Sequence, residues 1–417
     1  MTSGCRFLLF KVFDLIEQHS QNLDFNLCLP FSILDPMKFN KFTWLFLLTI
    51  VALLACKKDE IEVPPLPANS SATDLEKYLT IQKTGQNIPA LATLIFKEDQ
   101  ILFENYRGLA DIEKQLDLTR DNVFLLASIS KTITATALLQ LFDDGKFKLD
   151  DKINDYLDFK VEIPGYSKAI TFRMLLTHTS GIADGKVLDE EYYYGKDSPV
   201  KLDFFLEKYL VDGGEYYYKN QNFHDFEPGS DQEYSNVGNA LIAGLVEDIS
   251  GMEFNAYCKK NIFEPLKMNS TFWRLDEVTR TIVQPYDYVK GDFDPIGHYT
   301  FTDYPNGGLR SNVRDMFHFL SALAQEGTFD GHELLKKETV AMMITPQIPS
   351  LDATMGLHLF QMDKTNNIWG HDGGEQGVAT IMGYNPTTKV GALIFCNQGE
   401  ADLDAMLVEA YRVGVTL

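Results

Sequence analysis

At Leu125-Leu126-Ala127-Ser128-Ile129-Ser130-Lys131 an apolar approach runs into a serine and a lysine three residues apart. On a helix that spacing puts both side chains on one face, about one turn apart. The apolar residues Ile133, Ala135, Ala137, Leu138, Leu139 and Leu141 continue the pattern as a buried helix. Asp143-Asp144-Gly145 ends it, with Gly145 suited to a left-handed cap. Ser128 therefore falls at a helix start, where free N–H groups and the helix dipole favour a developing negative charge. A hydroxyl is a weak nucleophile until a base takes its proton, and a neighbouring amine can do so. The plainer reading makes Ser128 only an N-cap. Ser198-Pro199-Val200-Lys201 shows how little the spacing means alone, because a capping serine before a first-turn proline accounts for it.

What separates the two serines is the rest of the chain. Residues 91–96 and 101–106 are β-rich runs joined by the turn Lys97-Glu98-Asp99-Gln100, and residues 108–119 read as a loop. Residues 150–266 are mostly helical. Residues 170–181, Ile-Thr-Phe-Arg-Met-Leu-Leu-Thr-His-Thr-Ser-Gly, read as a helix ending in a Ser-Gly turn, where His178 suits a ligand or base but more commonly satisfies terminal carbonyls, the favoured reading. A polar, Tyr-rich excursion over 184–232 suits either a groove or a packed surface loop. After the turn Glu227-Pro228-Gly229-Ser230, Tyr234-Ser235-Asn236 leads into an amphipathic helix over 240–249. Tyr218 and Tyr304 also begin a Tyr-x-Asn triplet, but only Tyr234 sits at a turn-to-helix junction. Asn306-Gly307-Gly308-Leu309 precedes a helix over 313–325. Ile368-Trp369-Gly370-His371-Asp372-Gly373-Gly374 leads into strands over 378–384 and 390–396, and 403–413 is a last amphipathic helix. Hairpins at both ends around a helical middle predict an α+β sandwich: one antiparallel sheet made by both chain ends, flanked by helices, with a mainly helical insert over about 150–270.

The 417 residues are 45% hydrophobic, enough for a sizeable core, and carry a net charge of −22. That charge argues against a nucleic-acid partner. Residues 42–55 are almost purely apolar, about 14 residues, which is short for a membrane span and right for a signal-peptide core. The run closes in Leu53-Leu54-Ala55-Cys56, which resembles a bacterial lipobox with Cys56 as the lipidation site. Met37, Lys38 and Lys41 supply a start and a charged region. Residues 37–55 then read as a lipoprotein signal peptide, 56–74 as a lipid-anchored Pro- and Ser-rich linker, and 75–417 as the folded domain. Residues 1–36 have no role in that scheme and read as a gene-model extension. The expected location is the cell envelope, anchored to the outer membrane and facing the periplasm or the surface. Cys258 and Cys396 are too far apart in sequence to suggest a disulfide framework and read as buried thiols.

In this order the pieces resemble the serine β-lactamase and penicillin-binding-protein superfamily, closest to its class C β-lactamase, D-Ala-D-Ala carboxypeptidase and esterase branch. The resemblance covers residues 75–417. It rests on Ser128-Ile129-Ser130-Lys131, Tyr234-Ser235-Asn236 and His371-Asp372-Gly373-Gly374, with Leu175-Leu176-Thr177-His178-Thr179-Ser180-Gly181, Pro228-Gly229 and Gly307-Gly308-Leu309 as context. It implies that Ser128 is the acylated nucleophile, that Lys131 holds or takes its proton, and that Tyr234 relays that proton to the leaving group. It further implies that Asn236 bonds the substrate amide and Lys131. His371 and Gly373 would line the substrate site, and the N–H groups of Ser128 and Gly374 would form an oxyanion hole. A Lys⁺ beside a phenol would favour the phenolate, which gives a reason to pair them.

Class C enzymes carry Lys-Thr-Gly where this chain has His371-Asp372-Gly373. A histidine near neutral charge anchors a substrate carboxylate less firmly, which weighs toward a peptidase, amidase or esterase. The resemblance thus implies a serine hydrolase working through an acyl-enzyme on a small peptide, ester or β-lactam, with no cofactor. A second reading is an inactive penicillin-binding-type sensor of the envelope. A Ser-His-Asp hydrolase lacks its G-x-S-x-G signature here, and the eight histidines form no H-x-x-x-H or H-x-H metal pattern.

Overall fold

The computed structural model describes residues 63–417. Cys56, the lipobox, the signal-peptide segment and the 1–36 extension lie outside the described residues. Among the described residues, seven strands build one antiparallel sheet. They are β1 (Ala90–Lys97), β2 (Gln100–Asp111), β3 (Leu116–Asp117), β4 (Phe360–Asp363), β5 (Ile368–Glu375), β6 (Val378–Tyr384) and β7 (Val390–Cys396). Their order is β4-β5-β6-β7-β1-β2-β3, so the early and late parts of the chain meet at the β7–β1 pair, where Leu94 faces Leu393.

Alternation along these strands explains the layering. In β1, Leu94 and Phe96 point into one core, and Leu91 and Ile95 into another. The first core is closed by the helices α2 (Ser130–Asp143) and α4 (Val313–Ala324), through residues such as Ile133, Leu138, Phe317 and Leu320. The second is closed by α1 (Ala72–Gly85) and α5 (Asp404–Thr416), through Leu75, Leu79, Met406 and Tyr411. β6 and β7 are buried along their whole length, which is why they read as unbroken apolar runs. Each fully buried Leu or Phe side chain contributes roughly 1.5–3 kcal/mol.

Local signals set the helix ends. Ser71 and Asp74 form a reciprocal capping box at the start of α1. Ser235 accepts from the Gly238 N–H at the start of α3 (Asn236–Ser250), and Gly251 ends that helix at φ 71°. Gly145 takes φ 72° after α2, as its position predicts.

Four expectations are corrected. The capping box starts α1 at Ala72, inside the segment read as linker. β2 runs on to Asp111, into the segment read as loop, and pairs there with β3. The helix expected over 170–181 spans only Phe172–Leu176 and ends at Thr177. Ser198 does not cap a helix: the next one spans Leu202–Leu210 with Lys201 at its N-cap, and the Ser198 hydroxyl accepts instead from the Val200 N–H. The middle region also holds one strand, Tyr192–Tyr194, which pairs antiparallel with Tyr299–Phe301, outside the region itself.

Candidate active site

The turn carrying Ser128 is built from the residues just before it. The Leu126 N–H donates to the Leu309 carbonyl at 2.8 Å, and the Leu126 carbonyl accepts from the Thr380 hydroxyl at 2.7 Å. Ala127 is then forced to φ 49°, a conformation that costs a non-glycine residue about 1 kcal/mol or more. A short 3₁₀ turn over Ala127–Ile129 feeds directly into α2. No side chain caps this entrance, so Ser128 is not an N-cap. It is half-buried, and its hydroxyl is free to face the cleft.

Lys131, one turn on, is fully buried. Its ammonium donates to Ser128 Oγ at 3.1 Å and to the Asn306 carbonyl at 2.7 Å. Burial lowers its pKa from 10.5 to about 7, against the opposing pull of nearby carboxylates. The neutral amine, able to accept a proton, is therefore accessible near pH 7. Tyr234 lies with its ring 4.8 Å from Lys131 Nζ, on the Ser128 side of the cleft. Burial pushes its pKa up, the reverse of the phenolate-favouring shift that its pairing with a lysine suggests. The residue is 41% exposed, so water softens that push, but the direction keeps Tyr234 a phenol. Near pH 7 Lys131 can therefore present a neutral amine as the base, while Tyr234 stays a phenol that can donate its proton only as another is returned to it.

β5 forms the opposite wall. Its pairing with β4 stops at Phe360 and Gly370, which leaves residues 371–375 with one open edge beside the Ser128 turn. Gly373 makes that approach possible: a Cβ there would lie 2.5 Å from the Leu126 carbonyl and 3.0 Å from the Ser128 nitrogen. At Gly374 a Cβ would meet nothing within 4 Å, so the neighbouring volume is open.

The remaining expected residues fall around this cleft with some differences. Asn236 starts α3 and its backbone N–H donates to the Asp184 carboxylate at 2.9 Å. The second partner of Lys131 is the Asn306 carbonyl, where the resemblance assigned the Asn236 side chain. His371 is buried, with its ring 6.5 Å from that of Tyr234. Its Nδ1 lies 2.5 Å from the Asp372 carbonyl, which can only accept, so Nδ1 carries the proton. Its Nε2 is then a bare lone pair without a partner.

His178 is the clearest correction. Rather than closing a helix, it sits at φ 55°, packs its ring at a tilt of 32° against Tyr234 with centroids 4.4 Å apart, and accepts the Ser235 N–H through Nδ1 at 3.2 Å. His358 meets it edge-on at 4.7 Å. Burial holds both well below the usual histidine range, and neutral. Other residues escaped the sequence reading altogether. Asp303 is buried and raised to about 7 by burial. Glu375 is half-buried and raised by the same cause. Asp184 is raised by burial of its carboxyl, but it lies open enough for water to screen that shift. His178 lay in a motif already singled out; His358, Asp303 and Glu375 lay in none. Among the described residues no group of three or more His, Cys, Asp or Glu side chains could hold a metal ion.

The model of the Beta-lactamase family matches residues 72–413, most of the chain. The chain belongs to this family. It is similar to a penicillin-binding protein of Bacillus subtilis (strain 168), 26% identical over 298 residues, covering 68% of this chain and 62% of that relative. The chain thus spans about three-fifths of that protein's length. It is also similar to a Beta-lactamase of Yersinia enterocolitica, 26% identical over 307 residues, covering 72% of this chain and 70% of the relative. Among solved structures, a D-stereospecific amidohydrolase from Streptomyces superposes with a TM-score of 0.64 at 22% identity, covering 82% of this chain and 98% of that one. That likeness establishes a shared fold: the mixed α and β architecture with the seven-stranded antiparallel sheet is that of the Beta-lactamase family.

Proposed function

We propose that this protein is a serine hydrolase that forms an acyl-enzyme on Ser128 and acts on an amide or ester. The observation that carries the reading is the buried Lys131 amine, hydrogen-bonded to Ser128 Oγ at 3.1 Å with its pKa lowered to about 7. Its neutral form takes the Ser128 proton as Oγ bonds to the substrate carbonyl carbon. The N–H groups of Ser128 and Gly374 receive the negative charge on the carbonyl oxygen. Tyr234 gives its proton to the leaving nitrogen or oxygen as that bond breaks, and Lys131 returns one to Tyr234. Water then releases the acyl group by the same steps in reverse. Relatives named as a penicillin-binding protein, a Beta-lactamase and an amidohydrolase support amide or ester substrates. Asn236, His371 and Gly373 line the substrate side in this reading. Loss of the usual third-motif lysine weighs toward a peptidase, amidase or esterase over an efficient β-lactamase.

Release of p-nitrophenol from a neutral short-chain ester tests the proposal. Turnover by the parent and none above background by Ser128→Ala is the expected result; equal turnover by both overturns it.

The anchoring proposal rests on sequence alone. Leu53-Leu54-Ala55-Cys56 after an apolar run supports lipidation at Cys56 and an outer-membrane location. Among the described residues no helix is long and apolar enough to cross a membrane. Palmitate labelling of expressed full-length protein checks this: label in the parent and none in Cys56→Ser supports it, and label in both overturns it.

A further inference from the structure

The cleft beside Ser128 carries an unusual excess of carboxylates. The charged groups that act most strongly on Lys131 are Asp184, Asp303, Glu375 and Asp372, all acidic. Lys131 is in turn the cation acting on Glu375 and on Asp303. Once Lys131 is neutral, as base catalysis requires, no cation remains among these groups, and burial holds Asp303 and Glu375 toward their neutral forms until a cation from the substrate favours the carboxylates.

Glu375 follows Gly374 directly and is held in place. The Tyr192 hydroxyl donates to its two oxygens at 3.1 and 3.3 Å, and the Gln376 N–H donates to one of them at 2.9 Å. The strand pair that carries Tyr192 fastens the turn beyond as well: the Tyr299 hydroxyl donates to the Gln376 carbonyl at 2.8 Å, and Tyr194 reaches the Gln376 side chain at 3.0 Å. A carboxylate braced by a separate ribbon of the fold is preorganised, where a free surface glutamate would swing away.

An independent feature points the same way. At the position where class C enzymes keep a lysine, His371 is 2% exposed, with a buried Nε2 that has no partner and a ring 6.5 Å from that of Tyr234. That atom accepts hydrogen bonds and cannot donate one while Nδ1 is tied to the Asp372 carbonyl. Asp372, the next residue, has a side chain 70% exposed. The wall beside Ser128 thus holds a neutral histidine where class C enzymes keep a cation, and Glu375 two residues past Gly373 adds a carboxyl group to the same strand.

We propose that Glu375, braced by Tyr192, makes this site select substrates with a protonated amine near the scissile carbonyl over those with a carboxylate there. This rests on the acyl-enzyme reading above and specifies its substrate class. A fixed carboxylate facing a bound ammonium in a partly dry cleft favours it by about tenfold or more over a neutral analogue, and disfavours a carboxylate similarly.

The test compares four p-nitroanilides in three charge classes: the two enantiomers of alanine p-nitroanilide (ammonium), propionyl p-nitroanilide (neutral) and succinyl p-nitroanilide (carboxylate). The parent is expected to show kcat/KM for one alanine enantiomer at least about tenfold above the succinyl substrate. Glu375→Gln, which keeps shape and loses charge, is expected to bring that ratio close to one, and Tyr192→Phe to reduce it part-way. Melting temperatures within a few degrees of the parent show that the variants fold. A succinyl substrate turned over as well as the amine, or a ratio unchanged in Glu375→Gln, overturns the proposal. If none of the anilides reacts while a neutral p-nitrophenyl ester is hydrolysed through Ser128, the amine preference falls and the hydrolase reading stands. If the ester is not hydrolysed either, both fall.

Discussion

Two Ser-x-x-Lys pairs lie in this chain, and the structure gives them opposite surroundings. Ser128 follows a residue at φ 49°, sits half-buried in a cleft, and bonds a lysine that has no exposure at all. Ser198 precedes a proline, bonds the Val200 N–H and the Thr302 hydroxyl, and has an exposed Lys201 three residues on. Identical spacing yields a bonded serine–lysine pair at a cleft in one place and a loop in the other. The difference is made by elements far away in sequence: the Asn306 carbonyl that fixes Lys131, and β5, which presses Gly373 against the Ser128 turn. A short motif becomes a site only where the fold removes water from one partner and leaves the other open.

The sharpest way to break this contrast is to remove each lysine in turn. Lys131→Met is expected to lower kcat on a neutral ester by about 10³-fold, because the proton acceptor is gone. Lys201→Met should stay within about twofold. Parent activity should also fall with acid along a limb near pH 7, as Lys131 protonates. The same lysine leaves a stability signature. Its folded pKa, about 7, lies below the ordinary 10.5, so the unfolded chain binds the extra proton between those values. Parent stability should therefore rise with pH across that window relative to Lys131→Met, measured by urea unfolding at several pH values. A flat difference contradicts the buried lysine.

A second, smaller effect concerns the approach of β5. Gly373→Ala places a Cβ 2.5 Å from the Leu126 carbonyl and 3.0 Å from the Ser128 nitrogen, so the strand must retreat. Activity should fall about 10- to 100-fold, with about 1–3 kcal/mol lost in stability. Gly374→Ala, which meets nothing within 4 Å, should unfold like the parent. Third, His178→Leu removes the ring packed against Tyr234 and the Nδ1 acceptor for Ser235, and should reduce kcat about tenfold, with a smaller change in KM. An unchanged kcat would reduce His178 to packing. Smallest of all, Ser198→Ala should move stability by about 0.5 kcal/mol or less and leave activity alone.

Much of the frame was legible in sequence for physical reasons. The β1–β2 hairpin, β6, β7 and α4 announce themselves by local periodicity, and Gly145 and Gly251 by the left-handed caps they provide. Ser128, Lys131 and Tyr234 stood out because each occupies a junction between elements. What stayed hidden depends on long-range placement. Asp303 and Glu375 matter only because distant segments bring them beside Lys131. Tyr192 gains meaning from a strand pair with residues more than a hundred positions later. His178 was misread because a helix of five residues ends before it and turns it inward at positive φ. The direction of the Tyr234 shift also required burial, which no spacing reveals.

The most direct test of the central claim is peptide mapping by mass spectrometry after labelling with an uncharged fluorophosphonate, across pH 5 to 9. A single adduct on the Ser128 peptide, forming faster as pH rises through about 7, is the result this account predicts. An adduct on another residue, or the same mass gain in Ser128→Ala, would contradict it.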